Sequence, residues 1–382
     1  MDFELSEAQQ SIRELARKFA RERIAPRAKA HDREEQFPGD LLQEMAQLGL
    51  MGINVPPELG GAGAGVVAYA LAMMEVSAAC ASTSVATAVT NMCAEMVSRF
   101  GTEAQRRKYV PLLVSGEAVA GAFALSEPHC GSDAAALKTT ARRRGGNFVV
   151  NGSKQWITSG AYAGVMLVWA RTSEDRTGGI STFIVEGKTP GLHVGRPEEK
   201  LGLRGSNTVS LTFEDCQVPA ENLLGKEGDG FKLAMIALDG GRIGIASQAC
   251  GVARAALEAS KRYSQERRAF DQPLSGFQAI QWFLANMATE LSASELLTLR
   301  AAALKESGQP FTREASMAKL FASEMAYRTC DKAIQIHGGY GYIDEFPVER
   351  YFRDARVQTI YEGTSEIQRV VIAREVIRAL SA

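Results

Sequence analysis

The chain has 382 residues, 46% of them hydrophobic and 23% charged, with a formal net charge of −1 at pH 7. That length supports a sizeable core in two or three layers, and the near-zero charge gives no electrostatic reason to expect nucleic acid or an anionic membrane as partner. No run approaches a membrane span, and the start Met1-Asp2-Phe3-Glu4-Leu5 has neither a basic n-region nor an apolar stretch, so a cytoplasmic protein is expected.

Up to about residue 120 the pattern is helical. Ser6 and Gln9 form a capping box ahead of Ile12, Leu15, Phe19 and Ile24 at helical spacing. Pro26 and Pro38 bound the early helices, and Leu41, Leu42, Met45 and Leu48 mark a second apolar stripe. The glycine-rich stretch at 59–65 is no dinucleotide fingerprint, because Gly61 and Gly63 would need a glycine where Val66 stands. It reads as a flexible loop leading into a helix over 66–80. Thr102 and Gln105 repeat the capping-box signature before Tyr109, Val110 and Leu113.

From about 121 to 228 the period changes to two. Gly145-Gly146 and Asn151-Gly152 are hairpin signals beside β-rich runs at 148–150 and 155–158, and further strands are predicted at 165–170, 181–185 and 208–213. After about 229 long helical segments return: one capped by Ser275 and Gln278, one through 314–336, and one from near Thr364 carrying Ile367, Val370, Val371 and Ile377 inward. The fold class is therefore α+β. A helical domain (1–120), an antiparallel β-barrel or sandwich (121–228) and a C-terminal four-helix bundle (229–382) are expected in that order.

Cys80, Cys93, Cys130, Cys216, Cys250 and Cys330 are scattered, as are His31, His129, His193 and His337, which suits buried thiols and no metal centre. Redox chemistry, if present, must come from an organic cofactor. Near the end, Tyr361-Glu362-Gly363-Thr364-Ser365-Glu366 precedes an apolar helix. A carboxylate one glycine ahead of a helix start can sit in a cleft with its backbone N–H free. That suits a base that removes a proton beside a carbonyl, although most such turns are ordinary helix caps.

Companion segments change the balance: 124–133 (Ala-Leu-Ser-Glu-Pro-His-Cys-Gly-Ser-Asp), 151–158 (Asn-Gly-Ser-Lys-Gln-Trp-Ile-Thr), 203–208, 238–246 and 335–339. With these in register, the chain resembles the acyl-CoA dehydrogenases over essentially its full length. The resemblance implies an FAD enzyme that takes hydrogens from Cα and Cβ of an acyl-CoA to give the trans-2-enoyl-CoA. It makes Glu362 the catalytic base, with flavin N5 accepting the hydride. By carry-over, Phe123, Leu125, Ser126, Trp156, Ile157 and Thr158 would pack and hydrogen-bond the isoalloxazine. Arg267, Phe270 and Gln278 would reach FAD from a neighbouring subunit, and Gln335, Ile336, His337, Gly338 and Gly339 would lie by its pyrophosphate and adenine. Thr364 and Glu366 also match FAD contacts. Ser132, Asp239, Arg242, Tyr361 and Gly363 match substrate-contacting positions, with a surface ion pair the plain reading of Asp239 and Arg242 and β-core packing that of Trp156.

The two-chain FAD site implies a homotetramer built as a dimer of dimers, and the family passes its electrons to electron-transferring flavoprotein. Glycine at 241 removes the alternative base that some relatives carry there. The runs at 242–248 and 361–366 are most like short-chain, butyryl-type members. The acyl pocket is expected at the helix over 82–96, which has no arginine, so a neutral acyl group is favoured; Met92, Cys93 and Met96 would line the pocket or serve as core. Branched short-chain or medium-chain substrates remain the alternative, with a flavin-fold relative of other activity behind them. His129-Cys130 and His337 depart from the family pattern. A helix starting at Thr364 favours the charged carboxylate, so a raised Glu362 pKa is expected mainly in the substrate complex.

Overall fold

A computed structural model of the chain describes residues 4–379. Met1, Asp2 and Phe3, part of the start read above as no secretory signal, lie outside the described residues. The helices open as α1 (Glu7–Phe19), α2 (Ala28–Arg33), α3 (Gly39–Gln47), α4 (Gly65–Ala79), α5 (Ala81–Phe100) and α6 (Glu103–Val114). Both capping boxes form. The Ser6 and Thr102 hydroxyls accept from the Gln9 and Gln105 N–H groups, and each glutamine side chain accepts from the cap's own N–H. Leu41, Leu42 and Met45 are buried, but Leu48 is exposed at the end of its helix.

The glycine-rich loop is stapled, not flexible. Ala62, Gly63 and Ala64 donate to the carbonyls of Gly52, Val55 and Ile53. A Cβ on Gly61 would lie 2.1 Å from the Val55 carbonyl oxygen, so only glycine permits that approach.

The middle of the chain forms β1 (Ala120–Ala124), β2 (Thr140–Arg144), β3 (Asn147–Thr158), β4 (Ala163–Arg171), β5 (Ile180–Glu186), β6 (Leu192–Val194), β7 (Thr208–Pro219) and β8 (Leu223–Leu224). They pair in the order β6-β7-β3-β2-β4-β5-β8, with β1 also on β4. The pairing is antiparallel except at β1–β4 and β2–β4, which are parallel. Gly145-Gly146 turns β2 into β3 as expected. Asn151-Gly152 does not turn: it lies within β3, where the register with β7 slips. Long pairing on both sides overrides the dipeptide's turn preference. The glycine survives as a bulge residue at φ +143°, tight against Thr139.

The C-terminal part comprises α7 (Gly230–Glu266), a small hairpin of β9 (Arg268–Ala269) and β10 (Gln272–Pro273), α8 (Gln278–Glu306), α9 (Thr312–His337), α10 (Val348–Arg356) and α11 (Ser365–Ala379). α7, α8 and α9 pack together and share one core with α4. No capping box forms at 275–278. Phe277 takes the N-cap position of α8, and 274–276 is spent on a 3₁₀ turn. Of the apolar residues expected to point inward from α11, only Val371 is fully buried; Val370 and Ile377 are 63% and 62% exposed, because none of the described residues covers that face. Among the described residues no helix is long and apolar enough to cross a membrane.

Candidate active site

Glu362 and Gly363 both adopt positive φ, +54° and +89°, so the chain makes a tight turn that sends the Glu362 carboxyl inward just before α11. The turn is held from behind. The Lys319 ammonium of α9 donates to the Gly363 carbonyl at 2.8 Å, and the Gln368 amide donates to the carbonyls of Gly363 and Glu362 at 2.9 and 3.3 Å. The Tyr361 hydroxyl donates to the Gln248 side-chain oxygen on α7. The Thr364 hydroxyl accepts from the Ile367 N–H and caps α11. Glu366 is exposed in the first turn of that helix.

The Glu362 carboxyl faces α7 at Gly241. A Cβ at that position would lie 2.0 Å from Glu362 Oε2, so the carboxyl fills space that only glycine leaves open. Oε2 is buried without a hydrogen-bond partner. Burial pushes the carboxyl up to about 7, while the Lys319 and Arg242 charges pull the other way. The pKa is therefore raised in the ligand-free chain already, against the expectation that substrate would be needed. The helix dipole loses because no N–H of the described part of α11 bonds the carboxyl. Lys319 is itself pushed down to about 8, chiefly by burial.

A carboxyl that acts as a base works only when deprotonated, so a reaction that uses Glu362 in that role should show kcat/KM rising as pH increases through about 7. Lys319→Met removes a positive charge that favours the carboxylate, so the acid limb of that profile should move to higher pH. An unmoved limb would rule out this electrostatic role.

Beside Gly240 and Gly241 a narrow pocket runs between α5 and α7, lined in part by Tyr69, Met92 and Met96. Cys93 does not line it; its thiol turns toward the Ala122 carbonyl at 3.4 Å in the core. Charged groups that the sequence reading overlooked also line this pocket: Glu95 of α5 and Lys305 of α8, paired at 2.6 Å, and Arg99 one turn after Glu95 on α5, so the expectation of a pocket without arginine does not hold. Asp239 and Arg242 do pair on one face of α7, but not at the surface. Arg242 is 4% exposed and also donates to the Ser316 hydroxyl, and Asp239 accepts from Thr312 Oγ1, so the pair ties α7 to the start of α9. Ser132 is exposed in the loop after β1.

On the sheet, Trp156 sits at φ +63° where the pairing of β3 with β7 slips, and it is 61% exposed. Plain core packing is thereby excluded: the bulge turns an aromatic face outward. Thr158 is half-buried at the end of β3, whereas the Ile157 side chain packs into the sheet core and can offer only its backbone to a ligand. Phe123 packs on Trp169 at 4.2 Å, Leu125 is buried, and the Ser126 carbonyl accepts from Gln155 N–H.

Behind this surface Lys154 and Glu127 form a buried ion pair at 2.8 Å. Lys154 also donates to the Leu125 carbonyl, and Glu127 accepts from the N–H groups of Lys138 and Thr139. Lys154→Met leaves that carboxylate without its counter-charge, and an expected loss of about 3–5 kcal/mol should appear as a lower urea midpoint.

A second hollow, of about 500 Å³, is lined by Arg267, Gln335, Ile336, His337, Gly338 and Gly339, together with Tyr263 and Tyr340. None of the sheet residues lines it. Phe270 is 89% exposed on the β9–β10 turn and Gln278 is exposed at the start of α8, both outside the hollow.

Family models described as acyl-CoA dehydrogenase N-terminal, middle and C-terminal domains match residues 6–117, 122–216 and 228–377. The chain belongs to the acyl-CoA dehydrogenase family. It is 49% identical over 378 residues to the mitochondrial short-chain specific acyl-CoA dehydrogenase of Mus musculus, covering 98% of this chain and 92% of that one. Among solved structures, butyryl-CoA dehydrogenase from Megasphaera elsdenii superposes with a TM-score of 0.97 at 41% identity, covering 99% and 100% of the two chains. A chain from a structure titled for the electron transferring flavoprotein of Acidaminococcus fermentans gives 0.98 at 44% identity, with the same coverage.

Acyl-CoA dehydrogenases are flavoprotein oxidoreductases, and the geometry suits a dinucleotide-sized flavin. Gly338 takes φ +60° with ψ −136°, and a Cβ on Gly338 or Gly339 would meet nothing within 4 Å, which leaves an open backbone cradle. The His337 Nδ1 bonds the Ala333 carbonyl at 2.7 Å while Nε2 is buried without a partner. Arg267 supplies positive charge to the same hollow.

Proposed function

We propose that the chain is an FAD-dependent dehydrogenase of a short-chain acyl-CoA, forming the trans-2-enoyl-CoA with Glu362 as the base. The observation that carries this reading is a carboxyl whose Oε2 is buried without a partner against Gly241 and which that burial pushes up to about 7. Glu362 takes the α-proton of the thioester, and its own backbone N–H is the donor that would steady the carbonyl oxygen on which charge develops. Bound FAD supplies the acceptor for the β-hydride at its N5. Trp156, Thr158, Phe123, Leu125, Ser126 and the Ile157 backbone would hold its ring. Arg267 and residues 335–339 would hold its pyrophosphate and adenine side, joined by Thr364 and Glu366. Phe270 and Gln278 would serve the cofactor of a neighbouring protomer. Ser132, Asp239, Arg242, Tyr361 and Gly363 frame the acyl-CoA.

The exposed Phe270, Trp282, Val370 and Ile377 favour a homotetramer. Six free, buried cysteines suit a cytoplasmic setting. Electron-transferring flavoprotein is the proposed acceptor. Boundaries near 120 and 228 divide the chain into three domains.

The test is anaerobic addition of butyryl-CoA to the purified holoenzyme, beside isobutyryl-, 2-methylbutyryl- and octanoyl-CoA. Bleaching of the flavin band with butyryl-CoA supports the reading. Bleaching only with a branched or longer acyl group keeps the reaction and replaces the substrate. A flavin that none of them reduces rejects the reaction.

A further inference from the structure

A third hollow, of about 550 Å³, opens where the N-terminal helices meet α10, and it shares no lining residue with the pocket at Gly241 or the hollow at Gly338. Its walls come from α2 and the turn before it, the end of α4, Arg204 ahead of β7, and residues 344–353. Most cations on these walls are already matched. Arg353 donates to Asp32 and to Glu349, each at 2.7 Å, and Arg204 is held by Glu35 at 2.7 Å. Arg33 donates to the Asp344 carboxylate, and Lys29 to the Asp344 backbone carbonyl at 2.7 Å. Arg350 is the exception. It is 8% exposed, lines the hollow and forms no ion pair among the described residues. Its guanidinium lies over the Tyr351 ring at 5.3 Å, with the neutral Tyr351 hydroxyl beside it. Asp354, one turn on, feels its charge but is spent on the Leu203 N–H at 2.6 Å. A guanidinium buried this far without a counter-charge is costly until an anion reaches it.

We propose that this hollow binds a small organic molecule through a single oxyanion, a phosphate monoester or a carboxylate, seated on Arg350. The planar guanidinium fork suits paired oxygens, and burial strengthens the contact. The hollow is far larger than a bare phosphate, and Ala78, Ala79, Phe346 and Pro347 give it an apolar wall for the rest of the ligand. Asp32, Asp344, Glu345 and Glu349 line the same space. A second anionic group on the ligand would therefore meet carboxylates, which disfavours polyphosphates.

The test titrates the purified holoenzyme calorimetrically with inorganic phosphate, phenyl phosphate, benzoate and pyrophosphate, in chloride buffers of matched ionic strength. No readout uses turnover, so the result stands apart from the role of Glu362. Phenyl phosphate or benzoate should bind saturably and more tightly than inorganic phosphate, and whichever binds better names the oxyanion. Pyrophosphate should bind no more tightly than phosphate. Arg350→Met should weaken the better ligand at least about tenfold. That substitution also removes an unmatched buried charge, so in chloride alone the variant should melt no lower than the parent. Arg350→Lys keeps the charge without the fork and should bind between the two, which leaves a test standing if the methionine variant does not fold. Absence of saturable binding overturns the proposal, as does binding that both Arg350 substitutions leave unchanged. Pyrophosphate as the tightest ligand overturns the single-oxyanion site.

Discussion

Glu362→Gln binds flavin and acyl-CoA but leaves the flavin band unbleached, with the reductive rate down roughly a thousandfold to ten-thousandfold. The amide fills the same space against Gly241, so the loss isolates proton transfer from packing. Among the described residues no other carboxylate stands ready in this pocket to take over. The nearest in the pocket, Glu95, is paired with Lys305, and Asp239 is engaged by Arg242 and Thr312. The substitution also removes a raised-pKa acid from the interior, so thermal stability should hold or rise near neutral pH, where burying the carboxylate costs most. A Glu362→Gln enzyme that bleaches within tenfold of the unaltered rate would show that the proton leaves by another route.

Gly241→Ala should separate activity from stability in the opposite sense to a core mutation. Alanine in the interior of α7 favours the helix by roughly 0.5–1 kcal/mol over glycine. Its Cβ falls 2.0 Å from Glu362 Oε2, the free end of a flexible side chain, so the carboxyl swings aside and the fold is spared. A displacement of about an ångström at the base costs on the order of a hundredfold in rate. The expected variant is as stable as the parent, or more so, with kcat/KM lowered about a hundredfold. Unchanged turnover would mean that the carboxyl does not work from this position.

The order of helices, sheet and helices was legible from periodicity, and both early capping boxes were legible because they depend on neighbouring residues alone. The Glu362 turn was legible for the same reason. What escaped were features set by partners distant in the chain. Asn151-Gly152 carries a turn signal, yet pairing with β7 absorbs it as a bulge. Val370 and Ile377 sit at helical spacing, but periodicity cannot say whether one chain supplies a cover. Glu95 and Lys305, far apart in sequence, each look like part of a solvated helix face; only the fold, which pairs them beside Gly240 of α7, makes them part of one pocket's lining. Lys319 was missed likewise, since nothing near it in sequence announces a bond to the Gly363 carbonyl.

The 37 residues of α7 run unbroken for about 55 Å. Its first residue accepts from the Trp169 indole of the sheet, its middle backs Glu362 and holds Tyr361 through Gln248, and its end delivers Arg267 to the second hollow. One rod therefore fixes the spacing between three stations, and none can be shifted without dragging the others. A lineage of such enzymes has little freedom to retune this helix. New acyl preferences are cheapest to reach on α5 and α8, whose side chains meet the rod from outside and can change one at a time.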